Sequence, residues 1–133
     1  MTLESAVQAV AQARQLLDLP DSETGAAWRV RRLTAPGAYF IVHVDDRVAC
    51  VEASDGALMT SAASLRAPVA ISQEAALAHA GLGMGASAEL VWKPCEATMS
   101  MFDPLWLVTH GDDSVFVDQR GKRWLGLPST SPG

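Results

Sequence analysis

The sequence is short of cysteine, of basic residues and of long apolar runs, and each shortage removes a class of protein. Only two cysteines are present, Cys50 and Cys95, too few for a disulfide framework. Both are expected to be reduced, as in a cytoplasm. Ten Lys and Arg stand against 15 Asp and Glu, for a net charge of −5. That balance argues against nucleic acid or an anionic membrane as the main partner, because both reward clustered cations. The acidity is spread along the chain: residues 1–66 carry 6 basic and 8 acidic groups, and residues 67–133 carry 4 and 7. Neither half is a charged tail. No apolar stretch approaches the ~20 residues that span a bilayer. The first residues, Met1 to Val7, lack a cationic region ahead of an apolar run, so they do not read as a secretory signal. The expected location is cytoplasmic.

What is present is enough apolar material for a core. Hydrophobic residues make up 49% of the 133 and charged residues 19%, which places the chain among ordered single domains. Residues 3–18 read as a helix, with Thr2 as N-cap, Glu4 in the first turn, and Val7, Val10, Ala13 and Leu17 on one stripe. Pro20 and the polar run after it end that helix. Trp28 to Arg31 alternates as a half-buried strand does, and Pro36-Gly37 signals a turn. Two β-branched and aromatic runs, 39–44 and 47–52, flank Asp45-Asp46 as a hairpin, and residues 57–59 can return as a short strand. Residues 60–70 are small and weakly patterned, and read as a linker.

The same order then reappears. Ile71 and Ser72 read as staple and N-cap, Glu74 lies in the first turn, and Gly81 stops the helix. Residues 89–93 alternate as a strand. Residues 105–109 and 114–118 form a second hairpin about 110–113, and 122–125 can pair back. The last segment, 126–133, reads as a frayed tail. Aligned without gaps, residues 40–52 and 106–118 match Phe40 with Trp106, Val42 with Val108, Asp46 with Asp112, Val51 with Val117 and Glu52 with Asp118. Element order carries the repeat more than identity does. The expected fold is therefore α+β: two tandem helix-plus-antiparallel-meander units, 1–59 and 71–125, each α-β-β-β, packed as one globular domain.

An acidic residue closes a strand and a glycine turn follows in Val51-Glu52-Ala53-Ser54-Asp55-Gly56 and in Val117-Asp118-Gln119-Arg120-Gly121-Lys122. This pattern resembles the strand ends of the PepSY family, over about residues 2–59 and 71–125. The resemblance implies a cystatin-like layout, with a meander wrapping a helix. It also implies a non-catalytic role, since several members regulate or inhibit peptidases, often as exported or membrane-anchored proteins.

Groups able to do chemistry are few. His43, His79 and His110 share no metal-ligand spacing with one another or with the cysteines, so neither a metal nor a cofactor is expected. A Cys95–His110–Asp112 nucleophile and base is conceivable, but Asp-rich turns are ordinary and cysteine is a common small hydrophobe, so no catalytic residue is assigned. Gly81, Gly83 and Gly85 alternate after a helix instead of a strand, which does not make a phosphate loop. Arg29, Arg31 and Arg32, with Arg47 nearby, form the one basic cluster: a solvated strand face or a contact for an acidic partner. Residues 94–103 join two strands and place Met99, Met101 and Phe102 in a loop. Their side chains either mould to a partner or fold inward over the sheet.

Both faces of each hairpin are apolar, so one covers a helix and the other is buried against the second unit, another subunit or a partner. The expected function is protein binding by occlusion, inhibitor-like or toxin-neutralising in the manner of an immunity protein. A sheet edge, the 94–103 loop with Met99, Met101 and Phe102, or Arg29 and Arg31 would make the contact. The alternative is a small-ligand pocket lined by Trp28, Trp92 and Trp106, or a Cys/His enzyme; a homodimer is compatible with the first.

Overall fold

The computed structural model describes residues 2–20, 24–34, 36–93 and 100–125. The fold is α+β, and the chain divides into two compact units, Met1–Pro68 and Val69–Gly133.

In the first unit a helix precedes four strands: α1 (Ala6–Leu16), β1 (Ala26–Arg32), β2 (Ala38–Val44), β3 (Arg47–Glu52) and β4 (Leu58–Ala63). The helix begins at Ser5, not at Thr2 as its sequence suggested. Leu3 N–H donates to the Ala53 carbonyl at 2.7 Å and Thr2 Oγ1 donates to the Ser54 carbonyl, so the first residues are tied to the turn after β3 and cannot coil. Ser5 Oγ instead accepts from Gln8 N–H, while the Gln8 side chain reaches back to Glu4 N–H at 2.6 Å, a near-relative of the capping box. At the other end Asp18 stands at φ 58°. Leu19 N–H reaches the Arg14 carbonyl and Asp18 N–H the Gln15 carbonyl, the two bonds of a Schellman cap. The helix therefore ends at Leu16, four residues ahead of Pro20.

The strands form an antiparallel meander in the order β4-β3-β2-β1. The β2–β3 hairpin closes at Val44 opposite Arg47 around Asp45-Asp46, as expected, with Asp45 at φ 52°. Alternation along the register places Phe40, Val42 and Val44 with Ala49 and Val51 on the face that meets Leu3, Ala9, Val10 and Ala13. Ala9 and Ala13 are fully buried; two small side chains one turn apart let the helix lie close on the sheet. The opposite face carries Val30, Tyr39, Ile41, Val48 and Cys50, which are also buried. Gly25, leading into β1, has φ 136°, and a Cβ there would stand 2.7 Å from Val44 Cγ1 and 3.2 Å from Val10 Cγ1. Only glycine lets the chain pass so close to the helix–sheet seam.

The second unit follows the same order: α2 (Gln73–Ala80), β5 (Ser87–Trp92), β6 (Leu105–His110), β7 (Asp113–Val117) and β8 (Arg123–Trp124), with neighbours β5-β6-β7-β8. Ser72 caps α2 through Ala75 N–H at 3.1 Å, and Gly81 ends it at φ 65°, both as the sequence indicated. The β6–β7 hairpin closes at His110 opposite Asp113, the positions that Val44 and Arg47 hold in the first unit. Trp106 is paired with Val117 and Val108 with Val115, as Phe40 is with Val51 and Val42 with Ala49. The gapless alignment is thus reproduced strand by strand as hairpin register.

Among the described residues each unit has four strands where three and a possible return were expected. Residues 60–63, read as linker, are the body of β4.

Candidate functional site

The two acidic strand ends perform different local work. Glu52, the last residue of β3, receives Arg32 through both carboxylate oxygens, Oε1 at 3.1 Å and Oε2 at 2.5 Å. This fork-to-fork pair holds the Glu52 carboxyl below its usual range; the Arg32 hydrogen bonds are the main cause, with burial pulling the other way. Arg32 also lies over the Tyr39 ring at 5.4 Å. Asp118 is fully buried. Its Oδ1 accepts from Arg120 N–H at 2.9 Å and Lys122 N–H at 3.0 Å, and its Oδ2 accepts from Trp124 Nε1 at 3.0 Å and the Arg120 guanidinium at 3.3 Å. Burial alone raises its affinity for a proton, but these four donors outweigh it and the carboxyl titrates low. The glycine turns that follow are closed by Gly56 N–H to the Glu52 carbonyl and Gly121 N–H to the Asp118 carbonyl. Both acids thus stand at the turn after the third strand of their units.

The three arginines of β1 do not act together. Alternation puts Arg29 opposite Phe40, on the α1 face, and Arg31 on the same side. Arg32 is on the other side and is neutralised by Glu52. Arg29 is exposed and lines a shallow groove with Thr2, Gly37 and Ser54; Arg31 is half-buried. Met101 and Phe102 are half-buried in the turn before β6, where Phe102 N–H donates to Ser100 Oγ. Met99 and Cys95 lie outside the described residues, as does most of the 94–103 loop.

Trp28 belongs to β1 in the first unit; Trp92 and Trp106 belong to β5 and β6 in the second. Trp106 Nε1 donates to the Ile71 carbonyl at 3.2 Å and Trp92 Nε1 to the Ser100 carbonyl at 2.8 Å. Both of these indoles thus donate to a backbone carbonyl. The grooves flanking α1, of about 520 and 590 Å³, are lined by residues such as Gln8, Gln12 and Asp18 or Val7, Val10 and Ala26, and by no tryptophan. Among the described residues no group of three His, Cys, Asp or Glu could hold a metal ion. No described helix is long and apolar enough to cross a membrane.

Sequence reasoning missed two features. Arg14 is buried in α1 and donates to the Thr24 and Pro20 carbonyls and to Thr24 Oγ1, with Asp45 at 3.4 Å. It ties the helix end to the approach of β1 and the β2–β3 turn. The second is β4. All six of its residues are exposed, and among the described residues β3 is the one strand to which it is joined in the sheet order. Ser64 N–H donates to the Asp46 carbonyl at 2.7 Å, which fixes the alternation of the ladder. In the pairs Ala49–Ser61 and Arg47–Ala63, the edge residue turns its N–H and C=O away from β3. Ser61 and Ala63 therefore present backbone donors and acceptors outward. Residues 58–63 contain no charge and no proline, two of the usual guards of a sheet edge; a third, a β-bulge, falls at Met59, where the pairing shifts from Cys50–Thr60 to Val51–Leu58, and Thr60 to Ala63 pair regularly beyond it. Leu58 and Met59 are 39% and 40% exposed.

Comparison with family models, with curated proteins and with solved structures finds no match to this chain.

Proposed function

We propose that this chain is a non-catalytic protein-binding module that works by occlusion, and that the open edge of β4 is its docking element. The observation that carries the reading is the uncharged, proline-free strand Leu58–Ala63, exposed along its whole length. Strand addition to such an edge supplies main-chain hydrogen bonds without any catalytic group. The resemblance of residues 117–122 to PepSY strand ends, with the cystatin-like layout and inhibitor-like role it implies, points to the same class. A bound strand laid along β4 would extend the sheet and cover the partner's own segment, blocking whatever that segment does.

The test compares the full chain with Ser61→Pro in parallel affinity captures from the native host's lysate, quantified by mass spectrometry and followed by an activity assay of the captured protein. A stoichiometric partner that is blocked by the chain and lost by Ser61→Pro supports the reading. Retention of every captured protein by the proline variant overturns it.

A further inference from the structure

The open β4 edge that the occlusion reading uses has one candidate occupant whose complementarity is on the page, namely a second copy of the same strand. We infer that β4 pairs antiparallel with β4 of another chain about a two-fold axis at Ser61, so that self-pairing caps the edge and competes with any other partner.

Three features converge. The first is ladder parity. Ser61 and Ala63 turn their backbone groups outward, and an antiparallel pair needs such residues opposite one another. An axis at Ser61 sets Ser61 against its own copy within the regular stretch Thr60–Ala63, short of the register shift at Met59, whereas an axis between two residues would oppose outward groups to inward ones. The second is charge. Asp55 precedes the strand and Arg66 follows it; both are exposed, and no ion pair engages either one among the described residues. Antiparallel reversal about Ser61 brings Asp55 of each chain beside Arg66 of the other, with Arg47, exposed opposite Ala63, at the same end. A parallel arrangement would set like against like. The third is the placement of apolar side chains. Leu58 and Met59 at one end of the segment and Leu65 at the other, 86% exposed, are three of the seven large exposed hydrophobics of the described residues. The same reversal lays Leu65 of one chain alongside the Leu58 end of the other. An isologous contact requires this kind of self-complementarity.

A contact of this size belongs to the weak, reversible class of interfaces. Sedimentation equilibrium on the full chain, taken up to about 1 mM to reach the weak end of measurable affinity, reads it directly. The expected result is a monomer–dimer equilibrium for the wild type and a monomer for Ser61→Pro, with an unchanged far-ultraviolet circular dichroism spectrum. Proline at Ser61 removes an outward N–H and leaves the bonds to β3 in place. Asp55→Arg and Arg66→Asp should each weaken dimerisation about threefold to tenfold, on the scale of exposed ion pairs, and the double reversal should recover most of the loss. The charge set decides the question if the proline variant fails to fold. A wild type that stays monomeric, a dimer untouched by Ser61→Pro, or a double reversal no better than the singles would each overturn self-pairing. A monomer that still captures a partner through β4 overturns this inference alone. A β4 dimer whose lysate captures ignore Ser61→Pro overturns the occlusion reading and leaves self-pairing standing.

Discussion

Asp118 shows what a single side chain does when it has no water to rely on. Its carboxylate takes two backbone N–H groups, the Trp124 indole and the Arg120 guanidinium; without it the two N–H groups and the indole lose this acceptor, while Arg120 keeps Asp103. Asp118→Ala is expected to cost about 3 kcal/mol in urea unfolding, the scale for leaving several part-buried donors unmet. Because the folded carboxyl titrates below its unfolded value, its ionised form stabilises the fold at any pH above the unfolded pKa of about 3.9, and that contribution disappears as pH falls through the lower folded value. The stability gap between wild type and Asp118→Asn should therefore be widest near neutrality and shrink in acid; a gap that holds constant from pH 7 to pH 3 would refute the role given to the charge. Asp18 is the opposite case. It occupies the left-handed position of a Schellman cap, where glycine is free of the Cβ penalty. Asp18→Gly should stabilise α1 by about 0.5–1 kcal/mol, read as a rise in melting temperature.

At the scale of elements, legibility followed burial. The strands that read clearly, 39–44 and 47–52, are β-branched runs whose residues are mostly buried, so the hydrophobic pattern reflects real packing. α2 read correctly at both ends because Ser72 and Gly81 act within their own turn. The start of α1 did not, because Thr2 and Leu3 are held by Ser54 and Ala53, some fifty residues away in sequence, and no local signal announces that. Within β4, residues 60–63 read as linker because Thr60, Ser61, Ala62 and Ala63 are all exposed, and a fully exposed strand has no face to write into the sequence. The Arg29–Arg31–Arg32 cluster looked like one patch in a linear reading; pleating divides it, and Glu52 answers Arg32 from across the sheet. Arg14 gave no signal at all, since its value lies in the carbonyls that the fold brings to it. At this scale the caps make the sharpest prediction. Ser72→Ala should cost about 1 kcal/mol, with a loss of helical circular dichroism confined to a short helix. Gly25→Ala should destabilise far more, because both the φ of 136° and the 2.7 Å approach to Val44 forbid a side chain there.

The molecule as a whole carries a net charge of −5, so bringing two copies together works against mutual repulsion even where Asp55 and Arg66 attract. Added salt screens that repulsion and the Asp55–Arg66 attraction alike. Self-association should strengthen with salt, while an association weakened by salt would argue that the local ion pairs outweigh the global field.

Cys50 gives the protein an internal clock. The thiol is fully buried in β3, on the face opposite α1, and burial, opposed only in part by Arg32, pushes its pKa up to about 12. A thiol so held is almost wholly protonated and shielded at pH 8, and alkylating reagents attack the thiolate. Its rate of modification then counts how often the strand beside β4 lifts from its neighbours. With Cys95 changed to serine, the half-time of Cys50 labelling becomes a measure of whether the edge is covered: anything that seats on β4 should slow the clock, and a variant that leaves the edge bare should let it run.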